Sequence, residues 1–147
     1  MNGNCNWTNI IYEAEVCQNN QSRVGLASGF WKLRFNNHTE SFCKIEKRID
    51  TELSQYVWDL KSSNKDFKIF WRKLSQEHPY SKISNKCNLC TREKVEILKM
   101  KRSEPRRLLH ARTGLFGKCL HRDKHLLAFI DVSSMSPFLT ERRKILI

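Results

Sequence analysis

The chain contains no long apolar run and no pattern typical of a secretory leader. No segment approaches the roughly 20 apolar residues needed to cross a bilayer. The first residues include neither the basic nor the apolar segment of a signal peptide. No internal repeat is visible. We therefore expect no membrane partner, and a reducing compartment, the nucleus or the cytoplasm.

Acidic side chains are scarce compared with basic ones. The 147 residues include 15 Asp and Glu against 27 Lys and Arg, which gives a net charge of +12. Between Lys82 and Lys124, 13 basic residues accompany only four acidic ones. This clustering favours a nucleic acid as the partner, with an anionic surface or an ordinary basic protein as alternatives. The length fits one domain, or one domain with a tail.

The six cysteines admit two different interpretations. An even number permits three disulfides in a secreted protein, and three Asn-x-Ser/Thr sequons, at Asn6, Asn20 and Asn37, agree with that class. The lack of a leader pattern favours metal binding instead, because thiols stay reduced inside the cell. A disulfide-linked secreted protein therefore remains a third functional class, which zinc analysis of the purified protein would exclude.

A Cys-x-x-Cys pair runs directly into a predicted helix. Cys87 and Cys90 can together bind one zinc ion, and a third and fourth ligand are available from Cys119 and from His121, with His125 as the alternative. Glu93, one turn into the helix, can hold a hard cation such as Mg²⁺. The competing interpretation is two buried cysteines and a solvated glutamate. The pattern predicts a zinc-binding insertion built around a carboxylate.

The hydrophobic pattern predicts a small α+β fold. We expect strands over residues 9–17, 23–26 and 67–73, and helices over 28–42, from residue 50 onward, and over 93–100. The first two strands should form a hairpin, and the third should join them in a three-stranded antiparallel sheet flanked by helices, a sandwich-like arrangement. Gly25 inside a strand indicates that another group approaches the backbone closely.

Several of these segments resemble the opening of a GIY-YIG nuclease domain. The resemblance is carried by Ile10-Ile11-Tyr12-Glu13-Ala14, by Val24-Gly25-Leu26, and by residues 30–34 followed by His38. Residues 51–58 resemble the second helix of that family. Their order along the chain is the order of the family.

Two later segments are similar to the zinc-bearing GIY-YIG domains of animal mobile elements. One is Lys86-Cys87-Asn88-Leu89-Cys90 with Glu93, and the other comprises residues 108–112 and 118–121. Such domains include those attached to Penelope-like reverse transcriptases, so this chain could once have been fused to such an enzyme. The resemblance covers residues 5–127, and residues 128–147 form a C-terminal tail without an assigned role.

The resemblance implies a divalent-metal-dependent DNA endonuclease of mobile-element origin, with no small-molecule substrate. Arg34 would contact the scissile phosphate, and Glu93 would hold the catalytic Mg²⁺ or Mn²⁺ ion. Tyr12 would lie beside the attacking water, and His38 would assist with the phosphate or the proton. We expect Arg34 and Glu93 to face one another across the open face of the sheet.

The chain departs from the family at two positions of the implied active site. Arg23 stands where the second tyrosine is expected, and an arginine cannot act as a base near neutral pH. His110 stands where an asparagine is expected. We therefore expect reduced cleavage, and an increase in rate on Arg23→Tyr. The alternative is a zinc-stabilised nucleic-acid-binding module without catalysis.

Overall fold

The computed structural model describes residues 6–109, together with Cys119 and His121. The elements, in chain order, are β1 (Ile10–Val16), β2 (Gln21–Ala27), α1 (Trp31–Cys43), a short 3-10 helix (Ile45–Lys47), α2 (Glu52–Ser62), β3 (Ile69–Gln76), β4 (Tyr80–Ser81), β5 (Lys86–Cys87) and α3 (Asn88–Ser103). Cys5, His110, His125 and the tail 128–147 lie outside the described residues. Within them, no helix is both long enough and apolar enough to cross a membrane.

The central element is an antiparallel sheet with strand order β2-β1-β3, which confirms the predicted three-stranded sheet and the α+β class. The register of β1 and β2 places Tyr12 opposite Gly25 and Ala14 opposite Arg23. Asn20 has a φ of 50° in the turn between these strands, a left-handed conformation that asparagine tolerates better than most residues. β3 runs three residues past the predicted end, and the two-stranded β4–β5 hairpin was not predicted.

Helices cover both faces of the sheet. Successive side chains of β1 point to opposite faces, as the strand period of two requires. Ala14 and Val16 pack against α1 and α2, whereas Ile11 packs against α3 through Leu89 and Ile97. The expectation of an open sheet face between Arg34 and Glu93 was therefore wrong, since each face is needed to bury apolar surface. Arg34 and Glu93 instead line a cleft beside Leu26 and Ala27, at the end of β2.

The helix α2 has a clear start signal and a narrow apolar stripe. The Thr51 hydroxyl accepts a hydrogen bond from the backbone N–H of Ser54 at 3.1 Å, which satisfies one of the free donors at the N-terminus. Leu53, Val57 and Leu60 recur at helical spacing and are buried in the core under β1. The helical spacing predicts these three residues and Tyr56 as core. Burial confirms the three, whereas Tyr56 is only partly buried and packs against their cluster.

The helix α3 begins at Asn88, five residues before the predicted start. The Cys87 thiol lies at the N-cap, with the backbone N–H of Cys90 3.5 Å from its sulfur. The spacing of Val95 and Leu98 predicts that they form the apolar face of this helix. That prediction was wrong, because these side chains are 36% and 52% exposed. Leu89 and Ile97 supply the buried face instead. The longer helix carries both Cys90 and Glu93 on one rigid element.

Candidate active site and metal centre

Three cysteines and one histidine converge at the N-terminus of α3. The ligand atoms of Cys87, Cys90, Cys119 and His121 all lie within 4.8 Å of one another. The His121 Nδ1 atom lies 3.3 Å from the sulfur of Cys87, 3.2 Å from that of Cys90 and 3.8 Å from that of Cys119. The four residues are therefore a group that can hold a metal ion.

The donor set and its spacing fit zinc. Around a tetrahedral zinc ion with bonds of about 2.3 Å to sulfur and about 2.0 Å to nitrogen, each sulfur–nitrogen edge measures about 3.5 Å. The three observed distances bracket this value. Burial raises the pKa of the Cys90 thiol, and the neighbouring Cys119 and Cys87 raise it further, so three thiolates need a cation at this place.

The other described cysteines take no part in this cluster. Cys17 is partly buried beside the sheet and Cys43 is exposed at the end of α1. Neither belongs to the group of possible metal ligands. The five described cysteines form no disulfide with one another. The group consists of the predicted ligands, with His121 as its histidine, and the alternative ligand His125 lies outside the described residues.

A cleft of about 760 Å³ lies beside Leu26 and Ala27 at the end of β2, between α1 and α3. Arg34 contributes from α1, Glu93 from α3, and His121 from the metal-binding group. The remaining described lining residues are mostly small or apolar: Asn9, Leu26, Ala27, Ser28, Gly29, Phe30, Leu33, Asn37 and Pro79. The structure thus brings a guanidinium and a carboxylate to the same cleft, beside the Cys/His cluster.

Tyr12 and His38 lie behind Arg34 in a directed hydrogen-bond chain. The Arg34 Nε–H donates to the Tyr12 hydroxyl at 3.2 Å, and that hydroxyl lies 2.7 Å from the His38 Nε2 atom. Burial, with Arg34 and then Arg23 adding to it, lowers the pKa of His38 to about 3, so the ring is neutral at pH 7. We assign the tautomer from this pattern: His38 accepts at Nε2 and carries its proton on Nδ1.

These two side chains are buried more deeply than their predicted roles require. Tyr12 is 1% exposed and His38 is 2% exposed. The Tyr12 ring packs against Trp31 at a centroid distance of 4.8 Å and against Trp71 at 5.9 Å. Because these contacts hold the ring, Tyr12 and His38 orient Arg34 from the protein side, while Arg34 lines the cleft.

Gly25 makes room for the Tyr12 hydroxyl. A Cβ atom at this position would lie 2.6 Å from the Tyr12 oxygen and 2.8 Å from its Cζ atom. The close approach predicted from a glycine inside a strand is confirmed, and the approaching group is the ring on the neighbouring strand. Only a residue without a side chain fits here.

The environment of Glu93 combines burial with positive charge. Burial raises the pKa of its carboxyl group, and Arg23, Arg34 and Lys94 act in the opposite direction. A hydrogen bond from the backbone N–H of Leu26 also favours the carboxylate. This bond ties Glu93 to the edge of β2, so the carboxylate belongs to the wall of the cleft.

Arg107 forms ion pairs with acidic side chains of the protein itself. Its Nη2 atom lies 3.0 Å from Glu15 and 3.8 Å from Glu13, and its Nη1 atom lies 2.6 Å from Glu104. The backbone at Arg107 is also hydrogen-bonded to β2, because the N–H of Ser22 donates to the Arg107 carbonyl at 2.6 Å. Arg107 belongs to the basic cluster between Lys82 and Lys124, but its guanidinium is engaged with carboxylates of the protein itself.

Sequence reasoning missed the structural position of Arg23. Its side chain is 13% exposed, and it lies on the face of β2 that also carries Gly25. A charged residue at an inward position of an otherwise apolar strand was the signal that could have identified it. Phe30 and Leu33 are both exposed in the cleft, although the pattern of α1 predicts them as ordinary apolar anchors.

Comparison of the chain with protein-family models, with curated proteins and with solved structures finds no match. The fold and the geometry of the cleft are therefore the observations from which a function can be proposed.

Proposed function

We propose that this protein is a divalent-metal-dependent DNA endonuclease of the GIY-YIG kind, derived from a mobile element and stabilised by a structural zinc ion. The single observation that carries the proposal is the meeting of Arg34 and Glu93 in one cleft of a strongly basic chain. Phosphodiester hydrolysis needs a cation that binds the phosphate and a carboxylate that can hold a metal ion. Nuclear or cytoplasmic localisation is part of the proposal.

Arg34 is the residue that would bind the scissile phosphate. Its Nε–H is engaged with the Tyr12 hydroxyl, so the two terminal nitrogens form the part of the fork that can contact phosphate oxygens. The neutral His38 fixes that hydroxyl in turn. A guanidinium held in this way loses little side-chain entropy on binding, which is the advantage of a preorganised site.

Glu93 is the residue that would hold the catalytic cation. One carboxylate with substrate phosphates is a common way to bind Mg²⁺, and Glu93 is the one described carboxylate in the lining of this cleft. When bound, Mg²⁺ or Mn²⁺ supplies charge neutralisation at the phosphate and a bound water of lowered pKa. Burial raises the pKa of Glu93, and Arg23, Arg34, Lys94 and the N–H of Leu26 act against that effect by favouring the carboxylate.

The Cys/His cluster supports this arrangement from one side. Cys90 and Glu93 lie three residues apart on α3, and His121 reaches from the cluster into the lining of the cleft. A zinc ion bound by the four residues would therefore hold the N-terminal turn of α3, and with it the Glu93 carboxylate, in place.

The test is cleavage of supercoiled plasmid in Mg²⁺ or Mn²⁺ by the native protein, by Glu93→Gln and by Glu96→Gln. Glu96 is the matched control because it lies one turn away on the same helix, where Arg92 and Lys99 pair with it. We expect nicking by the native protein and by Glu96→Gln, and a loss of about 100-fold or more for Glu93→Gln. Equal rates for the native protein and Glu93→Gln would contradict the proposal.

A nucleic-acid-binding module without catalysis is the second candidate. The observation that favours it is Arg23, a residue that cannot replace the missing tyrosine as a base. In that case the native protein binds DNA with a salt-dependent affinity, retains zinc, and leaves plasmid intact in either metal. The same plasmid assay therefore separates the two candidates.

A further inference from the structure

Arg23 lies close enough to both sides of the proposed site to affect its charge. After burial and Arg34, Arg23 is the third cause that lowers the pKa of His38. Arg23 also lowers the pKa of Glu93, against the effect of burial. The register pairs Arg23 with Ala14 and Gly25 with Tyr12, so Arg23 and Tyr12 lie on the same face of the sheet. The Arg23 guanidinium therefore lies within electrostatic range of His38 and Glu93, although Arg23 is not among the described residues that line the cleft.

Two nitrogen atoms of Arg23 lack an acceptor in the described part of the chain. Nε and Nη1 are both buried, and neither has a hydrogen-bond partner there. A buried donor left without an acceptor costs about 1–3 kcal/mol. Such groups are rare in native proteins, and a bound ion or ligand can supply the missing acceptor.

The ion pair with Glu52 does not account for this side chain. The contact joins Arg23 Nη2 to one carboxylate oxygen at 3.9 Å, which is beyond hydrogen-bond distance. An arginine whose role is to link β2 to α2 would be expected to use its fork against both carboxylate oxygens. Here only Nη2 approaches Glu52, and the other two nitrogens, Nε and Nη1, have no acceptor in the described part of the chain.

We propose that Arg23 is a second phosphate-binding residue, whose guanidinium donates to a DNA phosphate while Arg34 donates to that phosphate from the side of α1. The proposal rests on the proposed function, because it assigns a substrate group to the same cleft. Because Nε and Nη1 are buried, the side chain must turn toward the cleft to reach a phosphate, and the described ion pair that it gives up is the long contact with Glu52. Arginine at this position thus supplies charge where the family resemblance led us to expect a tyrosine.

The first experiment measures the salt dependence of binding to a short duplex by fluorescence anisotropy, without divalent metal. Each phosphate contact contributes about 0.9 to the negative slope of log affinity against log salt. We expect Arg23→Gln to reduce the slope by about 0.9 and to weaken binding about tenfold at low salt. Arg23→Lys, which keeps a cation, should retain the slope and serves if Arg23→Gln does not fold.

Two controls separate phosphate binding from a structural role. Glu52→Gln removes the ion pair but keeps Arg23, so we expect the native slope or tighter binding. Arg48→Gln makes the same charge change at an exposed pair with Asp59, and should leave the slope unchanged. An unchanged slope for Arg23→Gln, or equal changes for Arg23→Gln and Glu52→Gln, would overturn the proposal.

The second experiment uses plasmid cleavage by Arg23→Tyr. The sequence predicts a faster enzyme, whereas a phosphate-binding Arg23 predicts a slower one, mainly through a raised KM. A rise in rate would overturn the proposal. The outcome is distinguishable from a failure of the proposed function, because loss of cleavage in Glu93→Gln tests the nuclease independently and the salt slope requires no cleavage.

Discussion

Gly25→Ala tests whether the site depends on the packing between β1 and β2. The new methyl group would lie 2.6 Å from the Tyr12 oxygen and 2.8 Å from its Cζ atom, well inside van der Waals contact. The ring cannot yield easily, because Trp31 and Trp71 pack on it and the hydroxyl is bonded to His38. Either the strands separate or Tyr12 leaves its place.

Overpacking of this kind costs about 1–3 kcal/mol, and we expect a loss of stability in the upper half of this range. Gly29→Ala is the matched control, since no atom lies within 4 Å of its added Cβ and its φ is not positive. A glycine in such a position gains about 0.4–1 kcal/mol on replacement by alanine. The two substitutions should therefore change stability in opposite directions.

The measurement is urea unfolding of both variants, read by tryptophan fluorescence. Gly25→Ala should also weaken DNA binding, because a displaced Tyr12 no longer holds the Arg34 Nε–H. Tyr12→Phe removes the atom nearest to the new methyl group, so the double variant should recover part of the lost stability. A Gly25→Ala protein as stable as Gly29→Ala would refute the packing argument.

The remaining predictions concern the metal, pH and the basic segment. Cys87→Ser should release the zinc and destabilise the protein by more than about 2 kcal/mol, whereas Cys43→Ser should retain it in metal analysis. His38 is neutral when folded and takes up a proton below pH 6.5 when unfolded, so stability should fall by up to about 1.4 kcal/mol per pH unit from 6.5 toward 3. Urea unfolding of His38→Gln should lack this component. Arg107→Gln should lower stability by about 1–3 kcal/mol and keep the salt slope of DNA binding, whereas the exposed Arg106→Gln should reduce the slope by about 0.9 and keep stability. A reduced slope for Arg107→Gln would show that its carboxylate partners release it to DNA.

Local patterns predicted most of the elements of this fold. Alternation in β1 and the spacing of Leu53, Val57 and Leu60 report directly which side chains need burial, because strand and helix periods differ. The start of α3 was missed, since Asn88-Leu89-Cys90 has no strong helix preference. Cys87 at the N-cap and the burial of Leu89 stabilise this turn as the first turn of the helix.

The sequence by itself determined the α+β class, the basic character and the Cys/His residues available as metal ligands, because composition, period and residue type can be read from the chain alone. Only the tertiary structure decided that both faces of the sheet are covered and that Arg34 and Glu93 meet at the end of β2 instead. It also decided that Tyr12 packs against Gly25, and that two buried donors of Arg23 have no acceptor among the described residues. These features depend on strand register and on which helix packs on which face, and both are set by contacts between residues far apart in the chain.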